Sequence, residues 1–307
     1  MSQAALTPHR HDRLDTLACG LMLLICASWG LNQVAVKIAV GGISPIWLTA
    51  IRSIGGSVLM LAWMAWRRIP VLKADGSLGV GTFMGVIFTI EFILFYWGMN
   101  YTTVSRGVLF FYMSPFVVAI GAHFFIPRER LTRTKCLGLI LAFTGLALAV
   151  YEGLTLPSLR ELFGDLMILI AAILWGVQSV LFKAGRLSRI APEKTLLYEL
   201  GISALLTPFA LLIFPEPGIF APSPLVWLSV LYQIVVVVFA SYIGWLWLMV
   251  RYPASQLASF SFLVPVIGFA GGALLLDEPV SPLLLVTVAL IGLGIFLVTR
   301  TSPVTQR

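Results

Sequence analysis

Residues 28–37 read SWGLNQVAVK, and residues 174–183 read LWGVQSVLFK. Both stretches interrupt an apolar run with side chains that can hold a polar solute. The first carries Trp29, Asn32, Gln33 and Lys37; the second carries Trp175, Gln178, Ser179 and Lys183. On a helix, positions three and four apart lie on one side. Trp29, Asn32 and Gln33 therefore share a broad face, and Trp175, Gln178 and Ser179 share another. Both faces are expected to line a cavity and meet water or substrate. The two lysines close their stretches at helix ends, where they are expected to anchor at the membrane interface.

A charged side chain at mid-bilayer costs about 2.5–3.5 kcal/mol on translocon scales, so each one needs a reason. Arg52 lies roughly 10 Å deep in its apolar run and Glu91 roughly 12 Å deep in the next, taking about 1.5 Å per residue. Sharing a level, they form an expected pair, with two readings open. One is a fixed ion pair that orients two helices. The other faces substrate, with Arg52 for a carboxylate and Glu91 for an ammonium. Glu199 is expected at the opposite interface, reaching for water or for a basic residue of the loops there. Tyr101, Tyr198 and Tyr242, with Tyr96, Tyr112 and Tyr232, are candidates for an aromatic lining with polar tips. Such a lining suits amphipathic substrates and cation–π contact with an amine. Core packing is the alternative for each.

Other chemistry finds few residues. The histidines are His9, His11 and His123, and the chain holds no HExxH and no GxxxxGK[ST]. Metal-assisted hydrolysis and ATP hydrolysis are not expected, and no catalytic residue, metal ligand or cofactor is assigned. Cys19, Cys26 and Cys136 have no paired spacing and read as small hydrophobes.

The elements that must position these residues follow from composition. Of 307 residues, 59% are hydrophobic and 11% charged, with a mean hydropathy of +0.99. A soluble domain has about 45–50% apolar and about 25% charged residues. Ten apolar runs are long enough to cross a bilayer as helices, at 17–37, 45–66, 77–99, 104–126, 134–151, 164–184, 194–214, 224–250, 254–276 and 281–299. The fold class is an all-α integral membrane protein. Pro45, Pro224 and Pro282 mark helix starts. Residues 1–16 form a polar tail before an uncleaved first helix, and 300–307 form a second tail.

The net charge of +7 reflects topology rather than nucleic acid. Sixteen of the 20 Lys and Arg residues fall on one side of the ten spans. That bias places both termini in the cytoplasm and requires an even number of spans.

The chain also echoes itself. Trp29, Gly30, Val34 and Lys37 match Trp175, Gly176, Val180 and Lys183 at an offset of 146. Trp97, Met99, Ser105, Phe110, Pro115 and Gly121 match Trp247, Met249, Ser255, Phe260, Pro265 and Gly271 at an offset of 150. Residues 128–132, RERLT, match 277–281, DEPVS. The reading is two homologous halves of five spans, 17–151 and 164–299, joined by 152–163. Five is odd, so the second half enters the membrane inverted, with the substrate site between the halves. Pro115 and Pro265 each deprive a carbonyl four residues earlier of its donor, so a kink is expected at both. Matched kinks would serve as hinges for two gates.

Ten spans, a 5+5 inverted repeat and the WG-x-[NQ] opening of each half resemble the drug/metabolite transporter superfamily and its EamA domain. Arg52, Pro115, Pro265, Glu129 and Glu278 add to the resemblance, which covers nearly the whole chain. Within the family the chain is most like YddG-type exporters of aromatic amino acids. The resemblance implies that spans 1–4 and 6–9 surround a cavity while spans 5 and 10 pack outside it. Gly138 and Gly145, with Gly292 and Gly294, would let those outer spans approach closely. Small multidrug antiporters resemble one such half and carry a proton-coupling Glu eight residues before a Lys. Here Trp29 and Trp175 hold that place, so proton antiport by that route is not expected.

The expected function is a secondary transporter of the inner membrane that exports neutral or aromatic amino acids, or similar small metabolites, by alternating access. Efflux of drugs or amphipathic metabolites is the alternative; a membrane-embedded enzyme or a channel fits less well. The expected partners are the substrate and the lipid bilayer, with the chain a monomer or weak homo-oligomer.

Overall fold

The computed structural model describes residues 12–71, 74–127, 129–151, 156–213, 215–276 and 283–300. Among them the chain is helical, with one isolated bridge between Ile43 and Ile219. There Ser44 donates its N–H to the Gly218 carbonyl at 2.9 Å, and Gly218 sits at φ +82°, a conformation that strains a residue with a β-carbon.

The first half of the chain forms α1 (Thr16–Val40), α2 (Pro45–Trp66), α3 (Leu78–Met99), α4 (Val104–Phe111), α5 (Ser114–Phe125) and α6 (Arg133–Val150). The second forms α7 (Leu159–Ala184), α8 (Pro192–Ile213), α9 (Pro224–Tyr232), α10 (Tyr242–Arg251), α11 (Ala254–Phe260), α12 (Leu263–Leu276) and α13 (Leu284–Arg300). Nine helical segments among the described residues are long and apolar enough to cross a membrane, and the apolar helix Leu285–Arg300 is shorter.

Local chemistry explains most starts. Asp15 accepts from the Ala18 N–H at 2.8 Å and caps α1. Thr103, Thr132 and Ser223 cap α4, α6 and α9, while Pro45 and Pro224 occupy the first turns of α2 and α9. Pro282 lies outside the described residues. The sixth apolar run begins earlier than its hydropathy suggests. Ser158 and Glu161 form a capping box that recruits the polar turn LRELF into α7.

Two expected single helices are interrupted. The fourth run divides into α4 and α5 at Tyr112–Met113, just ahead of Pro115, and the ninth divides into α11 and α12 at Ser261–Phe262, just ahead of Pro265. Tight bonds close the joints, from Met113 N–H to the Phe110 carbonyl at 3.2 Å and from Ser261 N–H to the Ala258 carbonyl at 3.1 Å. The eighth run stays continuous but passes through a nine-residue π segment, Gln233–Ser241, between α9 and α10. Its sequence, QIVVVVFAS, has no proline or glycine to announce it.

Helices of the two halves interleave: α3 packs on α7 and α8, α2 on α8, α1 on α12, α5 on α7, and α6 on α13. Without a hydrophobic drive between helices in lipid, small residues set such contacts. A β-carbon on Gly138 would stand 2.6 Å from the Gly294 carbonyl oxygen, and one on Gly294 would stand 2.5 Å from that of Gly138. Gly30 admits Ile267 of α12, and Gly176 admits Val117 of α5. Large apolar side chains such as Leu24, Phe124, Leu212 and Leu285 face outward, as lipid contact requires.

Candidate functional site

A cavity lies where α1, α3, α7, α8 and α10 meet. From α1 comes Trp29; from α3 Met84, Phe88, Glu91 and Phe92; from α7 Trp175, Gln178, Ser179 and Phe182. Glu199 comes from α8, and Tyr242, Trp245, Leu246 and Met249 from α10. Trp245 lies between the two motif tryptophans, 5.6 Å from Trp29 and 5.4 Å from Trp175 by ring centroids. Tyr242 meets Trp29 edge-on at 6.1 Å and Phe88 at 6.4 Å. Edge-to-face packing of this kind holds ring walls in fixed orientation.

Two hydrogen bonds fix the polar wall. The Gln178 amide nitrogen donates to a Glu91 carboxylate oxygen at 2.5 Å. The Trp29 indole N–H donates to the Ser241 hydroxyl at 2.7 Å, and that hydroxyl donates in turn to the Val237 carbonyl at 2.6 Å. Ser241 ends the π segment, so the segment's extra turn width sets both this acceptor and the following Tyr242.

The expected Arg52–Glu91 pair is not formed. Arg52 is buried and donates to the Tyr96 hydroxyl at 2.8 Å, with its guanidinium 5.7 Å from the Phe92 ring centre. Phe92 and Tyr96, four apart, present one face of α3 to Arg52; Glu91 is turned about 100° from Phe92 and faces α7. Equal depth did not mean equal direction. Glu199 is not at an interface: it is buried and lines the cavity.

Of the other expected site residues, Trp29, Trp175, Gln178 and Tyr242 line the cavity, whereas Asn32, Gln33 and Arg52 are outside its lining. The Asn32 side-chain oxygen is buried without a partner among the described residues, and Gln33 presses on Gly268. Tyr101 packs on Trp97 and Phe163 with Arg160 above its ring, beyond the lining. Tyr198 bonds the Ser77 hydroxyl at 3.0 Å, also beyond it. Lys183 is no interface anchor. It is buried, and its ammonium donates to the Met249 and Tyr252 carbonyls at the end of α10. Sequence reasoning missed Glu199, Trp245 and Phe88 as lining residues. A carboxylate inside an apolar run was the available signal for Glu199.

Each end of the molecule is closed by bonds between the halves. At one end Asp165 of α7 pairs with Arg106 of α4, whose Nε lies 3.0 Å from a carboxylate oxygen, and takes the Thr102 hydroxyl at 2.6 Å. At the other, the Tyr252 hydroxyl donates to Asp15 at 2.8 Å, and Gln256 accepts from the Leu14 N–H at 3.3 Å. Glu129 accepts from the Ala254 and Ser255 N–H groups at 2.9 and 3.1 Å, capping α11 across the halves. Asp75 meets Lys194 at 2.9 Å, and Glu216 accepts from the Ile46 N–H at 3.0 Å. Bonds from Ser77 and then Lys194 hold the Asp75 carboxyl below its usual range. Burial pushes Glu216 up, and burial followed by a bond to Asp15 pushes the Tyr252 phenol up to about 12. No group of three or more His, Cys, Asp or Glu suited to a metal occurs among the described residues.

The profile of the EamA-like transporter family matches residues 16–151 and again 162–300. An uncharacterized transporter of Archaeoglobus fulgidus is 28% identical over 256 residues, 80% of this chain and 84% of that one. A probable amino-acid metabolite efflux pump of Escherichia coli is 27% identical, covering 90% of this chain and 93% of its own. A protein of the same description in Salmonella typhimurium is 26% identical with the same coverage. A solved crystal structure superposes with a TM-score of 0.82 at 21% identity, over 93% of this chain and 97% of that one, a likeness of fold.

Proposed function

The chain belongs to the EamA-like transporter family of membrane transporters, and from that premise we propose that it exports amino acids or related small metabolites across the inner membrane. The carrying observation is that one aromatic cavity with buried carboxylates is walled by helices of both halves and closed by cross-half bonds at either end. In this reading the halves are inverted repeats of five spans each, the tenth being α13, with both termini in the cytoplasm. They rock about the cavity to open one end at a time. The breaks before Pro115 and Pro265 act as hinges, since each leaves a short helix free to tilt on its partner. Trp29, Trp175, Gln178, Glu91, Glu199 and Tyr242 touch the substrate, while Arg52 positions the Phe92–Tyr96 face. The names of the Escherichia coli and Salmonella relatives support an amino-acid metabolite as cargo. Efflux of amphipathic metabolites is the second reading, favoured by the ring-lined wall. Radiolabelled counterflow in proteoliposomes tests both. Exchange of at least one neutral amino acid or its amine or ester derivative is expected, and no exchange across that panel would sink the exporter reading.

A further inference from the structure

Glu91 and Glu199 share one cavity, and no cation contacts either of them among the described residues. Glu91 is 2% exposed and Glu199 8% exposed. Glu91 takes one hydrogen bond from Gln178, while Glu199 takes none among the described residues, and the two lie within electrostatic reach of each other. An ionised carboxylate away from water is costly unless a proton or a cation neutralises it. The surrounding elements supply no such cation. Arg52 of α2 donates from one terminal nitrogen to the Tyr96 hydroxyl and lies by the Phe92 ring, its Nε buried without a partner among the described residues, and it is outside the cavity lining; Lys183 of α7 donates to backbone carbonyls. Tyr96 of α3 and Tyr242 of α10 contribute hydroxyls rather than cations, and α1 presents Trp29. The missing charge is therefore left to something that enters the cavity, and the ring faces there suit an organic cation.

We propose that Glu91 and Glu199 bind the ammonium group of an aromatic or apolar amine and a proton in turn, so that the protein exchanges such amines for protons. This rests on the transporter reading above and names the substrate class for the same site. From the cytoplasmic side, an R–NH3+ cation displaces the carboxyl proton: the O–H bond breaks, the proton leaves to cytoplasmic water, and ammonium pairs with carboxylate. From the outer side a proton restores the O–H bond and the amine leaves as its cation. One positive charge crosses in each direction per cycle. A free carboxylate on the ligand finds no cationic partner on the lining, so the preferred amines have that group absent or masked.

Tryptamine and tryptophan, which share a ring system, are the probes. Titration calorimetry on the purified full-length protein, in two buffers of different ionisation enthalpy, counts the protons released on binding. The expected results are about one proton released per tryptamine bound, and affinity for tryptophan at least tenfold weaker. Glu91→Gln and Glu199→Gln are each expected to weaken tryptamine binding at least tenfold. Each is also expected to lose or reduce the proton release, with Glu91→Asp and Glu199→Asp restoring it. Melting temperatures of the four variants separate this from misfolding, and a Gln variant that fails to fold leaves its Asp counterpart to decide. Equal affinity for tryptophan, absence of proton release, or undiminished binding in both Gln variants would overturn the proposal. Amino-acid counterflow on the same preparation separates the two readings. Counterflow without tryptamine binding overturns this inference alone; neither activity overturns both.

Discussion

The two ends of the molecule are closed by comparable elements with different chemistry. Thr102, Arg106 and Asp165 close one end; Tyr252, Gln256 and Asp15 close the other, with Thr102 and Arg106 each 150 positions from Tyr252 and Gln256 respectively. In both, the start of one half's first helix is tied to the turn after the other half's third span. The first closure is a buried ion pair with charge-assisted bonds. The second joins an exposed carboxylate to a phenol and a neutral amide to a backbone N–H. Bonds to a charged group contribute about 1.5–3 kcal/mol, and solvent at the exposed Asp15 weakens its bond from Tyr252 toward the ordinary range of about 0.5–1.5 kcal/mol. A difference of about 2 kcal/mol shifts a two-state population roughly thirtyfold. The Asp165 end, outward in the proposed orientation, is thus the harder one to open, and the resting protein favours opening at the Asp15 end.

The largest effect that would break this comparison is at Asp165. Asp165→Asn removes the carboxylate that pairs with the buried Arg106 guanidinium, and removing one partner of a buried pair costs about 3–5 kcal/mol. A lower melting temperature is expected. Opening is read with a cavity cysteine, Ser179→Cys, in a background without Cys19, Cys26 and Cys136. Labelling by an impermeant maleimide should rise severalfold from the outer side of proteoliposomes and not from the inner. Unchanged outer labelling would show that the ion pair is scaffold and not a closure.

Much of this arrangement was legible in the sequence, for reasons that also mark where legibility stopped. Apolar runs fix where helices lie, because backbone groups in lipid must bond within their own segment. The WG pairs announced both a ring for the cavity and a glycine for close packing, and Gly30 and Gly176 each admit one β-branched side chain from the opposite half. Periodicity and depth do not fix which neighbour a helix face meets. Arg52 and Glu91 were matched by depth and separated by rotation about α3. Tyr101 and Tyr198 were matched by residue type and lie beyond the cavity lining. The π segment before Tyr242 depends on tertiary packing, and a run of valines carries no local signal for it.

A smaller effect sharpens the contrast from the other end. Tyr252→Phe removes the hydroxyl from Asp15 while leaving the ring and the carbonyl that receives Lys183. The loss is about 0.5–1.5 kcal/mol. Maleimide labelling of the Ser179→Cys protein should then rise from the cytoplasmic side, by less than the Asp165→Asn variant gains from the outer side. Equal gains, or gains on the same side, would mean that the ends do not act separately.

The smallest expected effect is a titration of that same hydroxyl. Burial and then the bond to Asp15 push the Tyr252 phenol up to about 12, above its ordinary value of about 10. A group whose pKa is raised by closure stabilises the closed form fully below its ordinary pKa, and that stabilisation is lost as pH rises through the raised one. The Asp15 end should therefore hold constant from neutral pH to about 10 and loosen between about 10 and about 12. Thr102, Arg106 and Asp165, which close the other end, include no phenol, and that end should not change. The Tyr252→Phe protein has no phenol to titrate and should show the loosened behaviour without the alkaline step. Accessibility of a pH-insensitive spin label attached to the Ser179→Cys protein reads this during the titration. A step of equal size in the wild type and in Tyr252→Phe would assign it to another group and separate the closure from the phenol's proton.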